Sequence, residues 1–93
     1  MRIELTIDFN YDLNDIVHFI SKDKPIAARK FKNDLIEKIK KDLIDPFHFK
    51  KSIYFEDELY RDYIFKGYTV VVKIDSENET FFFLGILKNK KIF

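Results

Sequence analysis

Four basic residues offer the clearest chemistry in this sequence: Arg61, and Lys88, Lys90 and Lys91 near the end of the chain. Arginine matches phosphate oxygens through its planar fork, and lysine acts as a point charge. The three lysines follow a stretch without acidic residues, since the last carboxylate is Glu79. Such a tail either contacts phosphates or an acidic partner, or keeps an apolar last strand soluble. Arg61 lies between Glu58 and Asp62, so it is either a working cation or a strand residue balanced by those carboxylates. Lys66 precedes Gly67 and reads as a solvated turn lysine. Tyr68 heads an apolar strand face, where core packing outweighs acid–base work. Histidine is a common acid–base residue, but neither His18 nor His48 has a recognisable catalytic partner at a fixed spacing, which favours a structural reading for both. Glu56, Asp57 and Glu58 read as a solvated acidic loop. The chain has no cysteine and two histidines, so thiolate and ordinary zinc sites are not expected, and no cofactor is expected.

The elements that must position these residues follow from periodicity. Residues 2–9 alternate, with Ile3, Leu5, Ile7 and Phe9 on one face, and predict a half-buried strand. Asn10 or Asp12 then offers an N-cap for a helix over about 12–21 carrying Leu13, Ile16, Val17 and Ile20. Asp12 and Asp15 suit the positive end of its dipole. Pro25 opens a second helix, whose stripe is Ala28, Phe31, Leu35, Ile39 and Leu43 and which Asp45-Pro46 ends. The two form a hairpin.

Residues 47–58 read as an aromatic loop holding Phe47, Phe49, Tyr54 and Phe55. Strands are predicted at 59–66, 68–74 and 80–87, with turns at Gly67 and over 75–79. The last is apolar on both faces, as a central strand would be. Phe81, Phe82 and Phe83 alternate faces along it, which favours core packing over base stacking. The expected architecture is α+β: an N-terminal strand, a two-helix hairpin, then a three-stranded antiparallel meander.

Ninety-three residues predict a single domain over 1–93 with a modest core, for which 11 phenylalanines supply large side chains. The net charge of +1 hides blocks of opposite sign: residues 22–51 carry ten basic and five acidic residues, and residues 52–80 carry three and seven. The opening residues hold acids where a secretion signal needs an apolar run. No stretch approaches the roughly 20 apolar residues that span a bilayer. A cytoplasmic protein without membrane contact is expected.

The element order and three segments resemble the RelE/ParE family of toxins. Residues 12–20 are similar to the family's first helix, with an acidic-leucine start and an aromatic near the end. Residues 25–31 resemble the opening of its second helix, with a proline, paired alanines and a phenylalanine. Arg61, five residues, Gly67-Tyr68 and the β-branched strand to Asp75 resemble a third family pattern. Residues 83–88 then resemble the last strand leading into basic residues. The resemblance implies the toxin of a type II toxin–antitoxin pair, neutralised by a cognate antitoxin.

It also implies two modes of action. RelE-like members cleave messenger RNA on the ribosome, and ParE-like members inhibit DNA gyrase. The first reading makes the chain a metal-independent endoribonuclease in which Arg61, Lys88, Lys90 and Lys91 hold phosphates, while a base and an acid act on the ribose and leaving oxygens. Growth inhibition by that route is the expectation carried forward, with gyrase inhibition and a non-toxic antitoxin-binding corepressor as alternatives. Thr69 stands where such nucleases usually carry an arginine, and nothing here matches their catalytic tyrosine or histidine. Those departures favour the gyrase alternative.

Overall fold

The computed structural model describes residues 2–43 and 45–89. Its elements are β1 (Arg2–Leu5), α1 (Ile7–Ser21), α2 (Pro25–Asp42), a 3-10 turn (Pro46–His48), β2 (Lys50–Lys51), β3 (Tyr60–Phe65), β4 (Tyr68–Asp75) and β5 (Thr80–Lys88). They build one sheet in the order β1-β5-β4-β3-β2. β1 runs parallel to β5, and all other pairs are antiparallel. The α+β class, the helical hairpin and the antiparallel meander are as expected from the sequence, and β5 is a central strand.

The largest departure lies at the N-terminus. The strand predicted over 2–9 stops at Leu5, and α1 begins at Ile7 rather than near residue 12. Thr6 makes the switch. Its hydroxyl accepts the Phe9 N–H at 3.1 Å, as an N-cap does, and donates to the Phe83 carbonyl at 2.8 Å. Phe9 thereby becomes the first core residue of α1, while Ile7 is left 87% exposed. Asn10 and Asp12, the expected caps, lie inside the helix.

α2 begins at Pro25, whose missing N–H is no loss in a first turn. It buries Ala28, Phe31, Leu35 and Ile39. Phe31, Leu35 and Ile39 meet Phe9 and Leu13 of α1 and Tyr63, Phe65, Val70, Val72, Phe81, Phe83 and Ile86 of the sheet in one core. Phe9 meets Phe83 edge-on at 5.3 Å, and Phe31 meets Phe65 and Tyr68 at 5.6 and 5.3 Å. Contacts of this geometry add about 0.5–1.5 kcal/mol each beyond area burial.

The β3–β4 turn consists of Lys66 (φ 46°) and Gly67 (φ 83°). Two positive φ values in a two-residue hairpin match the right-handed twist of the strands. In the β4–β5 ladder Val71 pairs with Gly85 and Val72 with Phe83, so Leu84 is an extra residue, a β-bulge.

Tyr63 ties the end of α2 to the sheet, donating its phenol to Asp42 Oδ2 at 2.5 Å. Burial, and then the bonded carboxylate, push its ionisation well above the ordinary tyrosine value. The unfolded chain ionises first, so this contribution is whole below about pH 10 and lost progressively above it. Tyr63→Phe should flatten the fall of melting temperature between pH 9 and 11. A wild-type and variant pair that lose stability in parallel would contradict the coupling.

Candidate functional site

Arg61 sits in β3 with 8% of its surface exposed. Its Nε donates to the Glu58 carbonyl at 2.9 Å, and one terminal nitrogen donates to the carbonyls of Phe47 and Phe49 at 3.3 and 3.1 Å. The guanidinium also lies 5.1 Å from the centre of the Phe47 ring. Carbonyls and a ring face compensate a buried cation without a carboxylate. Arg61 therefore holds the aromatic loop 47–58 against the sheet. Its neighbour Asp62 assists, with Oδ2 accepting the Ile53 N–H at 3.1 Å. Inside the loop, the Lys50–Lys51 pairing with β3 escaped the sequence pattern.

Lys88 lies elsewhere. It ends β5, is exposed, and is opposite Tyr68 in the ladder, whereas Arg61 is opposite Val72. Four residues along β4 separate those positions by about 13 Å, and two strand spacings separate β3 from β5. The structure does not bring Arg61 and Lys88 to one phosphate. Lys90 and Lys91 fall outside the described residues.

Around Lys88 the fold makes a groove of about 360 Å³ lined by Asp12, Asp15, Ile16, Phe19, Tyr68, Ile86 and Lys88. Its α1 wall follows from spacing: positions 12, 15, 16 and 19 share one helical face. That mixed acidic and apolar face was the available signal, and reading Asp12 as a cap and both Asp12 and Asp15 as dipole partners missed it. Asp12 has a second role, because its Oδ2 accepts the Ile86 N–H at 3.0 Å. Phe19 is 67% exposed, a large apolar surface left uncovered on the rim. Tyr68 packs on Phe31 and also faces the groove, so its core role holds and is not its whole surface.

The other titratable candidates stand apart from this groove. His48 and Asp45 form an exposed pair at 3.1 Å. Lys66 reaches Asp34 at 3.7 Å and lies over the Phe65 ring. Asp57 accepts the Leu59 N–H and Glu58 pairs with Lys51, so the acidic run shapes its own loop. Thr69 is buried and donates to Asn89 Oδ1 at 2.5 Å, while the Asn89 N–H reaches the Gly67 carbonyl at 2.8 Å.

Comparison with known proteins fits this architecture. A chain of the chromosomal ParDE toxin–antitoxin system from P. aeruginosa superposes with a TM-score of 0.74 at 17% identity, over 97% of each chain. A chain of the RelBE2 toxin–antitoxin complex from Mycobacterium tuberculosis superposes with a TM-score of 0.61 at 12% identity, over 95% of this chain and 96% of that one. At such identities the likeness is one of fold. No curated protein matches the sequence. The profile of the ParE toxin of the type II toxin–antitoxin system parDE matches residues 3–93. The chain belongs to the ParE toxin family of type II toxin–antitoxin systems.

Proposed function

We propose that this protein arrests bacterial growth by binding DNA gyrase in the cytoplasm, and that a cognate antitoxin neutralises it. The observation carrying this reading over RNA cleavage is the state of Arg61. Its Nε and one terminal nitrogen are committed to three backbone carbonyls, far from Lys88. A nuclease needs cations gathered where charge develops on the phosphate, with a base and an acid beside them. The buried Thr69 at the usual arginine position supports the same choice. Lys88, with Lys90 and Lys91, then serves as a basic contact for the target.

The test is a supercoiling assay with purified gyrase and purified toxin, beside primer extension on messenger RNA after induction. Loss of supercoiling with intact transcripts is expected. Charge reversal at Lys88, Lys90 and Lys91 should remove inhibition at an unchanged melting temperature. Unaffected gyrase with translation-dependent cuts inside coding regions would establish the nuclease reading instead. Full soluble expression with neither effect would leave the corepressor role.

A further inference from the structure

α2 carries its charges on two flanks of different kind. The flank toward the β3–β4 turn mixes signs, with Asp34, Glu37, Lys38 and Lys41 around a cleft that Phe65 and Lys66 close. Two carboxylates of the helix turn toward the sheet: Asp34 reaches Lys66, and Asp42 takes the Tyr63 phenol. Glu37, the third, is spaced i, i+4 with Lys41. The other flank holds Arg29, Lys32, Ile36 and Lys40, three or four residues apart on one face, and no carboxylate. Arg29, Lys32 and Lys40 are exposed, and among the described residues none of them is ion-paired.

α1 sets its acids on one side only. Asp12 and Asp15 line the groove toward β5, and Asp8, one turn before Asp12, shares that side. The opposite flank of α1 carries Asn10, Asn14, Val17 and Ser21 and no carboxylate. The hairpin is thus polarised. Its positive row runs about 16 Å from Arg29 to Lys40, at roughly 1.5 Å per residue. Duplex DNA offers a phosphate of each strand every ~3.4 Å along its axis, so a row of that length meets several. Arg29 matches one of them with its planar fork. The apolar stripe of α2 is taken up by the core and Ile36 is half-buried, so no apolar face is left to enter a lipid surface. The row also has no aromatic ring on which the bases of a single strand would stack.

We infer that the Arg29, Lys32 and Lys40 row of α2 binds the phosphate backbone of duplex DNA without reading its sequence. The inference rests on the gyrase reading for where the duplex is met, on the DNA that the target enzyme holds. The test is fluorescence anisotropy of a labelled DNA duplex titrated with the full chain, with no gyrase present. Binding should weaken as salt rises. Arg29→Gln/Lys32→Gln/Lys40→Gln should reduce the log–log salt slope by about 2.7, three phosphate contacts at about 0.9 each. At about 50 mM salt the same variant should bind about tenfold more weakly. Glutamine suits an exposed helix, so its melting temperature should hold.

Lys50→Gln/Lys51→Gln/Lys73→Gln removes the same charge from the strands and should keep the wild-type slope. Equal losses in the two triple variants would reduce the attraction to net charge and overturn the inference. So would a duplex that does not bind, or tighter binding to a single strand, to duplex RNA or to vesicles of phosphatidylserine and phosphatidylcholine. Supercoiling assays separate this outcome from that of the gyrase reading. DNA bound through α2 with gyrase unaffected supports the inference and removes only the target. Inhibited gyrase with no DNA binding through α2 removes only the inference.

Discussion

Arg61→Ala is expected to destabilise the protein by about 3 kcal/mol, since it removes charge-assisted hydrogen bonds and leaves partly buried carbonyls to find other partners. Arg61 is 8% exposed, and its guanidinium bridges Glu58, Phe47 and Phe49. Arg61→Lys should recover only part of this, because one ammonium cannot place donors at both the Nε and the terminal positions. Urea unfolding gives the stability change, and limited proteolysis within 47–58 reports the freed loop. The result has a functional reading too. A stability change below about 0.5 kcal/mol, the range of ordinary surface substitutions, together with lost growth arrest would mean that Arg61 acts on a target rather than on the fold. A large change that tracks the loss of arrest would place its importance in the scaffold. The same test separates the two modes of action, since only the nuclease reading gives Arg61 a phosphate to hold.

That residue illustrates what the sequence made legible. Its position in a strand was clear, because 59–66, 68–74 and 80–87 lie between turn signals and their boundaries shift by only one residue at an end. Its partners were not. Three carbonyls are invisible to a reading of residue types, and the two flanking carboxylates that were visible are not its ligands: Glu58 offers only its backbone oxygen, and Asp62 turns to Ile53. α2 was legible for a related reason, with proline at its start and four buried residues at helical spacing. β2 was not, since two residues carry no period.

The groove was hidden by distance along the chain. Its helical wall lies at 12–19 and its sheet wall at 68 and 86–88. Only the fold shows that Asp12 meets the edge of β5, and that β1 ends early enough to leave that edge open. The early end of β1 is itself the work of Thr6, whose hydroxyl serves two elements at once. A single side chain thus decides both the start of α1 and the extent of the free edge.

Phe9→Ala should test that decision, and its expected loss is the largest of any substitution considered: about 3–5 kcal/mol for a buried phenylalanine. Phe9 is fully buried and meets Phe83 edge-on. Domains of this kind are stable by about 5–15 kcal/mol, so the variant should unfold at much lower denaturant. Ile7→Ala is the companion. Alternation places Ile7 and Phe9 on one face of a strand, where both would be buried and both losses large. In α1 they point apart, with Ile7 exposed to solvent, so its truncation should change stability by less than about 0.5 kcal/mol. Chemical denaturation of the two variants measures the contrast directly. Comparable losses at both positions would restore the strand over 2–9, and with it a β1 long enough to cover the edge of β5. A large loss at Phe9 alone keeps Thr6 as the switch and leaves that edge uncovered by β1.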